Sequence, residues 1–219
     1  KEAKILIGIA VVVVIGGILL AIYANPKPAD PGAPVDSQSL IRDTNNMTKS
    51  ASAKVNIVEF GDYQCPGCAA AHPVVKQVIE KYRDNPDVNF VFRNFPLDSI
   101  HPNAHISSEA AEAAAKQGKF WEMHDTLYGK QAEWSTSPDQ LNTFADYAGL
   151  LGMNVEEFKT SVSNRMFQEV INADSEDGAK LGVTGTPTFF INSVLFAPNP
   201  GRIPNFEDFT KKIDEELAK

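Results

Sequence analysis

At residues 59 to 68 the chain reads Glu59-Phe60-Gly61-Asp62-Tyr63-Gln64-Cys65-Pro66-Gly67-Cys68, and this segment contains both cysteines of the 219-residue protein. An apolar, β-branched run from Val55 to Phe60 precedes them and predicts a buried strand. A helical pattern from Ala69 to Tyr82 follows. Two thiols at this spacing can close a small disulfide ring, and a helix start favours the thiolate through its dipole and free N–H groups. The segment therefore suits thiol–disulfide exchange, in which a thiolate attacks a disulfide sulfur.

Cysteine pairs at this spacing also occur in zinc sites and in structural disulfides. A zinc site would need further ligands, but the chain has no second Cys-x-x-Cys pair. The other candidate ligands are carboxylates and four histidines that are not spaced like a known zinc module: His72, His101, His105 and His124. A structural disulfide across so short a loop would remove little entropy from the unfolded chain. We therefore expect no metal site and favour a redox-active pair.

The periodicity along the rest of the chain predicts an α/β fold with a helical insertion. A second strand at residues 88–95 completes a strand–helix–strand unit, for which a parallel pair with a right-handed crossover is expected. Residues 103–181 show helical periodicity only and predict an all-helical subdomain. Residues 183–191 then indicate a turn and a strand, and residues 194–196 its hairpin partner. A terminal helix carries four apolar residues on one face: Phe206, Phe209, Ile213 and Leu217.

Two motifs in combination resemble the thioredoxin superfamily. The first is the cysteine motif between a strand and a helix, and the second is Gly185-Thr186-Pro187-Thr188, which leads into a strand and a hairpin. The helical insertion narrows the resemblance to the DsbA-like branch, over residues 50 to 219. Three further segments are similar to that branch: Phe95-Pro96-Leu97, His101-Pro102-Asn103-Ala104 and Gly118-Lys119-Phe120-Trp121-Glu122-Met123-His124-Asp125.

The resemblance implies a thioredoxin fold and thiol:disulfide oxidoreductase activity on exported protein thiols and disulfides. It makes Cys65 the exposed nucleophile and Cys68 the buried resolving thiol. It also makes Pro187 a cis-proline against the active-site disulfide. The substrate would bind at Pro187 and at three neighbouring residues: Pro66, Gly67 and Thr186. The Cys65–Cys68 disulfide would be the redox group, with no other cofactor, and a quinone-linked membrane partner would reoxidise it.

Two departures from the family pattern leave the direction of the reaction open. Pro66 and Gly67 stand between the cysteines, where the strongly oxidising enzymes have Pro-His, so one source of thiolate stabilisation is absent. Thr186 stands where the strongly oxidising enzyme has valine, and threonine occurs there both in isomerase-type relatives and in membrane-tethered oxidases of Gram-positive type. An oxidase that introduces disulfides is favoured, and a reductase or isomerase is the alternative. A metal-handling protein that uses the cysteines as ligands is a third hypothesis.

Glu59 is the candidate proton acceptor. It lies between Val58 and Phe60 in a strand that is expected to be central, so a buried carboxyl group with a raised pKa is predicted. Such a group could take the proton of Cys68 during resolution, and the resemblance supports an acid at this position. His124 is predicted to be a hydrogen-bonded core residue of the helical subdomain, and His72 an exposed residue on the active-site helix.

The N-terminal region predicts a membrane anchor. Residues 5–24 form 20 consecutive residues without a charge, and a helix of that length spans about 30 Å, the thickness of a bilayer core. Lys1 and Lys4 precede it and predict a cytoplasmic N-terminus with the catalytic domain outside. A cleaved signal peptide is the alternative, although its apolar core is usually shorter.

The sequence therefore divides into a single-pass anchor at residues 1–24, an extracytoplasmic linker at 25–50 and a DsbA-like domain at 51–219. Four prolines make the first part of the linker a semi-extended spacer: Pro26, Pro28, Pro31 and Pro34. The formal net charge of −8 argues against nucleic acid as a partner.

Overall fold

The computed structural model describes residues 28, 30, 32–199 and 201–219. Within these ranges, no helix combines the length and the apolar composition needed to cross a bilayer. The predicted anchor at residues 5–24 lies outside the described residues. The strands are β1 Asn46–Met47, β2 Val55–Gly61, β3 Val88–Asn94, β4 Thr188–Ile191 and β5 Val194–Leu195. The helices are α1 Ser37–Leu40, α2 Pro66–Lys81, α3 Ala104–Lys116, α4 Phe120–Gly129, α5 Gln131–Trp134, α6 Gln140–Leu150, α7 Val155–Ser163, α8 Gln168–Lys180 and α9 Phe206–Leu217.

The strands form one sheet in the order β1-β3-β2-β4-β5. β2 and β3 are parallel, in a register from Val55 opposite Val88 to Gly61 opposite Asn94, and the other pairs are antiparallel. All seven residues of β2 are buried, because the strand is central and both faces of the sheet are covered. The predicted strand–helix–strand unit and the predicted hairpin are both present.

Helix α2 crosses from β2 to β3 and begins earlier than the sequence pattern predicts. It starts at Pro66 rather than Ala69, with Cys65 as its N-cap residue. Proline suits the first position of a helix, because the N–H group that it lacks would have no intrahelical partner there. The helix continues through Pro73 to Lys81. The cysteine motif therefore forms the first turn of α2 rather than a loop before it.

The predicted helical subdomain corresponds to α3–α8, between β3 and β4. Its helices start where the sequence offers capping residues. The side chain of Asp139 accepts a hydrogen bond from Asn142 N at the start of α6, and that of Asn154 accepts one from Glu157 N at the start of α7. The largest buried side chain of the subdomain is Trp134, whose Nε1 donates to Leu127 O at 2.7 Å.

The predicted linker at 25–50 needs correction, because much of it is part of the folded domain. Asn46 and Met47 pair with β3 and extend the sheet by a fifth strand. Leu40 is 2% exposed and packs under the sheet. The buried Arg93 side chain donates through Nη1 to Ser39 O at 2.8 Å and Leu40 O at 2.9 Å. This segment therefore covers the edge of β3 and supplies acceptors for a buried guanidinium group.

Candidate active site

The loop that leads from β2 into α2 is held by hydrogen bonds from both halves of the molecule. The carboxylate of Asp62, fully buried, accepts from Gln64 N at 2.7 Å and Leu97 N at 3.0 Å, and it bonds His101 Nδ1 at 2.6 Å. From the helical subdomain, Gln131 Nε2 donates to Tyr63 O at 2.7 Å and to Cys65 O at 3.0 Å. A carboxylate that accepts several N–H groups fixes a loop firmly. The position of Cys65 is therefore set by residues far apart in sequence.

Both cysteines are free thiols in this structure, and Cys65 is more enclosed than predicted. Cys68 is fully buried, as expected, but Cys65 is only 8% exposed. The expectation of an exposed Cys65 is therefore corrected to a largely buried residue, and the small surface at which solvent reaches it is the cysteine opening. Thr186 and Pro187 cover the Cys65 side chain. The sequence alone could not show how closely this loop packs against the sulfur.

The Thr186–Pro187 peptide bond is cis, and it packs directly against the cysteine motif. Cys65 Sγ lies 3.3 Å from Thr186 O, although the two residues are 121 positions apart. A Cβ atom placed on Gly67 would lie 3.3 Å from Pro187 Cδ and 3.5 Å from Cys65 Sγ. Glycine at position 67 therefore lies in close contact with the proline loop, and a Cβ atom there would require Pro187 to shift by only a few tenths of an ångström. Pro66, the other residue between the cysteines, is exposed beside the opening.

The environment separates the pKa values of the two thiols. The hydrogen bond from the Cys68 side chain lowers the pKa of Cys65 to about 5, and the Thr186 side of the site and the backbone of residues 67 and 68 add to this effect. Burial, followed by the hydrogen bond to Cys65, raises the pKa of Cys68 far above its usual range. At neutral pH the pair is therefore a Cys65 thiolate that accepts a hydrogen bond from a Cys68 thiol.

Glu59 lies beneath this pair, in the centre of β2 and opposite Phe92 and Phe189 on the neighbouring strands. It is 1% exposed, as its sequence context predicts. Burial, followed by the charge of Cys65, raises the pKa of Glu59 to about 8. Its Oε1 atom has no hydrogen-bond partner among the described residues. The carboxyl group therefore holds a proton at neutral pH, because no cation among the described residues stabilises its ionised form.

Tyr128 is a site residue that the sequence reasoning missed. Its hydroxyl group lies 2.9 Å from the point where a Cβ atom on Gly61 would be, and among the described residues it has no hydrogen-bond partner. Gly61 and Glu59 are two residues apart in β2 and share a face of the sheet, so the Tyr128 hydroxyl is on the Glu59 side. The sequence placed Tyr128 only on the apolar face of a helix, which carries no signal for such a contact.

His72 and His124 lie outside the cysteine site, whereas His101 bonds Asp62 in the loop before Cys65. His124 is buried and bonds Tyr63 OH through Nδ1 at 3.0 Å, and burial lowers the pKa of His124 to about 3. Its predicted place in a hydrogen-bonded core is confirmed. The side chain of His72 is only 11% exposed and contacts Asp125, so the expectation of an exposed residue was wrong. Within the described residues, the one close group of three potential metal ligands is His72, His124 and Asp125, without either cysteine.

Comparison with known proteins agrees with this geometry. The family described as Thioredoxin matches residues 47–215. The chain belongs to the thioredoxin family. A second member, the probable disulfide bond formation protein D of Bacillus anthracis, is 32% identical over 222 residues, which cover 98% of this chain and 95% of that protein. The crystal structure of oxidised BdbD from Bacillus subtilis has a TM-score of 0.72 at 22% identity and covers 88% of this chain and 100% of its own, so it supports the same fold.

Other members of the family are parts of much longer proteins. The Na(+)/H(+) antiporter NhaA 1 of Salinispora arenicola is 39% identical over 151 residues, which cover 68% of this chain but 22% of the antiporter. This thioredoxin-family chain therefore spans 22% of that relative's length. Its fold and its full-length similarity to the Bacillus protein place it among the thioredoxin-family proteins with a helical insertion.

Proposed function

We propose that this protein introduces disulfide bonds into exported proteins by exchange through Cys65 and Cys68. One observation carries the proposal: Cys65 Sγ lies 3.3 Å from Thr186 O at the cis-proline, beside a fully buried Cys68 thiol. A low pKa makes Cys65 a good leaving group and stabilises the reduced form of the enzyme. Both effects favour an enzyme that accepts electrons from its substrate.

The exchange proceeds in two displacements that conserve electrons. A substrate thiolate attacks Cys65 Sγ of the oxidised enzyme, the Cys65–Cys68 bond breaks, and Cys68 leaves as a thiolate that takes up a proton. A second substrate thiolate then attacks the substrate sulfur of the mixed disulfide and releases Cys65 as a thiolate. The substrate has lost two electrons and gained a disulfide, and both enzyme sulfurs are reduced.

Glu59 is the proposed proton donor and acceptor for Cys68. With a pKa of about 8 it carries a proton at pH 7, which it can give to the departing Cys68 thiolate. In the reverse step, when a redox partner reoxidises the enzyme, the ionised fraction of Glu59, about a tenth at pH 7 with a pKa of about 8, takes the proton from Cys68. A fully buried thiol has little direct access to water, so it depends on an internal group for this transfer.

The substrate backbone is proposed to bind across the opening above Cys65. Pro66 and Gly67 form one side of it, and Thr186 and Pro187 form the other. Thr186 O lies 3.3 Å from Cys65 Sγ, so a substrate joined to that sulfur would lie against the Thr186–Pro187 peptide. Because Cys65 is only 8% exposed, this arrangement favours an extended segment that can lower a cysteine into a narrow opening.

The reduction potential of the Cys65–Cys68 pair tests the direction of the reaction. We expect equilibration with glutathione to give a value nearer the −120 mV of strong oxidases than the −270 mV of thioredoxin. A Cys65 pKa of about 5 lies between the values near 3.5 and 7 of those two proteins, so a potential between the two is expected. A potential at or below −270 mV would contradict the oxidase and support the alternative, a reductase.

The proposed location is the outer side of the cell membrane, with residues 5–24 as a single-pass anchor and a membrane redox partner that reoxidises the enzyme. The charge-free apolar run and the lysines before it support this proposal. A thiol reagent that cannot cross the membrane tests it in intact cells. It should label Cys65 of the reduced protein, and labelling only after lysis would overturn the proposed orientation.

A further inference from the structure

A cavity of about 320 Å³ lies away from the cysteine opening, between α2, the sheet and α4. His72 of α2 and His124 and Asp125 of α4 all line it. Each of these side chains offers a metal-ligating atom, and the three atoms lie within 4.8 Å of one another. Two imidazoles and one carboxylate beside a cavity are a ligand set that the exchange mechanism does not use.

The arrangement of the two rings leaves ligand atoms available. His124 uses Nδ1 for the Tyr63 hydroxyl at 3.0 Å, which leaves Nε2 as its ligand atom. The Nε2 atom of His72 lies 3.2 Å from Asp125 Oδ1, and its Nδ1 atom is buried without a hydrogen-bond partner among the described residues. A ligating imidazole usually has its second nitrogen held by a polar group, and Tyr63 supplies that group for His124.

We propose that His72, His124 and Asp125 form a binding site for a zinc-type divalent metal ion, with the cavity providing room for a water molecule as the fourth ligand. Imidazole and carboxylate ligands suit Zn²⁺, which is bound at about 2.0–2.2 Å in a tetrahedral arrangement. Ligand atoms around such an ion are roughly 3.5 Å apart. The three atoms present lie within 4.8 Å of one another, so binding of the ion would draw the more distant atoms closer together.

One neighbouring cation competes for the same carboxylate. Lys76 Nζ lies 2.5 Å from Asp125 Oδ2. Its side chain is 60% exposed, so the ammonium group can move into water when the metal binds. This competition gives the site a distinguishing property: removal of the Lys76 charge should strengthen metal binding, whereas removal of the Asp125 charge should weaken it.

A bound ion would join the active-site helix to the helical subdomain. His72 is one helical turn beyond Cys68 on α2, and the other two ligands belong to α4. The metal would therefore fix the position of α2 relative to α4 without contact with either sulfur. This inference does not depend on the proposed oxidase direction, since the site holds no cysteine.

The test is a metal titration of the full chain in its disulfide form, because the oxidised sulfurs cannot act as thiolate ligands. Calorimetry with Zn²⁺ and the visible spectrum with Co²⁺ report stoichiometry and geometry.

We expect one equivalent to bind, with the absorption of a four-coordinate cobalt ion. Asp125→Asn should weaken binding at least tenfold, and Lys76→Met should strengthen it. Glu122→Gln, an exposed change on the same helix, should leave the affinity unchanged.

Two results would overturn the metal site. One is the absence of binding to the folded, oxidised protein. The other is binding that Asp125→Asn and Lys76→Met leave unaltered, since the metal would then lie elsewhere. Glutathione exchange rates measured on the same variants keep this question separate from the proposed function. A protein that exchanges disulfides normally but fails to bind metal would refute only the site.

Discussion

The two faces of the central sheet bury charged groups in opposite ways. On one face, the fully buried Arg93 bonds Asp174 at 2.6 Å and Asp177 at 2.8 Å, and its guanidinium lies 5.2 Å from the Phe60 ring. On the other face, Glu59 is 1% exposed and carries an oxygen without a hydrogen-bond partner among the described residues. Both groups lie within the same pair of adjacent strands, yet only the first is neutralised.

This difference separates a structural role from a chemical one. A buried ion pair whose hydrogen bonds are satisfied can hold elements together, and here it ties β3 to α8 and to the segment before β1. A buried carboxyl group without a cation destabilises the fold and keeps its proton at neutral pH. Such a group can exchange its proton with a nearby sulfur, so substitutions on the two faces should affect stability and activity in opposite ways.

The largest expected effect is at the sulfur itself. Cys65→Ser should reduce disulfide exchange to the uncatalysed background, because no other thiol of the chain can reach a substrate when Cys68 is fully buried. The fold should persist, since serine differs from cysteine by one atom. An insulin-reduction assay and thermal unfolding followed by circular dichroism check the two parts. Full activity in this variant would remove the mechanism.

Arg93→Met should destabilise the protein, because it removes the cation of the buried ion pairs with Asp174 and Asp177. It leaves Asp174 and Asp177 buried with fewer partners, and loss of one member of a buried pair typically costs about 3–5 kcal/mol of unfolding free energy. Urea unfolding of the variant and the parent measures this loss of unfolding free energy. Exchange rates of the molecules that remain folded should be unchanged. Arg83→Met, which breaks an exposed pair with Glu80, is the control and should change stability by less than about 1 kcal/mol.

Glu59→Gln, on the opposite face of the sheet, should slow disulfide exchange and raise stability. Loss of a proton-transfer group typically slows a reaction by about 10²–10⁴-fold, so reduction of the enzyme disulfide should slow markedly in stopped-flow experiments. Stability should rise instead of fall, because a carboxyl that resists ionisation has been removed. A variant that is both slower and less stable would indicate a structural role for Glu59.

The pH dependence of that gain follows from the raised pKa of Glu59. The folded protein holds this proton up to about pH 8, whereas the unfolded chain releases it near 4.5. Glu59 therefore costs nothing below pH 4.5, and its cost grows as the pH rises to 8, reaching about 3 kcal/mol at pH 7. The difference in unfolding free energy between Glu59→Gln and the parent should grow over this window. Cys65 titrates in both proteins, so its contribution cancels when one unfolding free energy is subtracted from the other.

The sequence was sufficient for elements with a strong period and insufficient for contacts between distant segments. The strand at Val55–Gly61, the helix after it and the helical insertion follow from apolar periodicity, and the burial of Glu59 follows from its place in a central strand. The single-turn helix Ser37–Leu40 and the two-residue strand Asn46–Met47 are too short to show a period. They are held by contacts with distant residues: Ser39 O and Leu40 O accept hydrogen bonds from Arg93, and Asn46 and Met47 pair with the edge of β3.

The same limit applies to the site. The cysteine spacing and the proline motif identified the reactive groups, but the 8% exposure of Cys65 results from packing against Thr186 and Pro187. Tyr128 reaches the Glu59 side of the sheet only because Gly61 leaves room for its hydroxyl. No local pattern encodes either contact, since each joins segments more than 60 residues apart.

The smallest expected effect concerns the balance between the two sulfurs. Cys65 should titrate near pH 5, measured by thiolate absorbance at 240 nm in the reduced protein. The largest cause of that low pKa is the hydrogen bond from Cys68, so Cys68→Ala should move the midpoint to a higher pH while the fold is retained. Glu59→Gln should leave the midpoint unchanged, because Glu59 keeps its proton at pH 5 and so carries no charge that could disfavour the thiolate. A midpoint that Cys68→Ala leaves at pH 5 would mean that the helix start and the Thr186 loop stabilise the thiolate without help from the second sulfur.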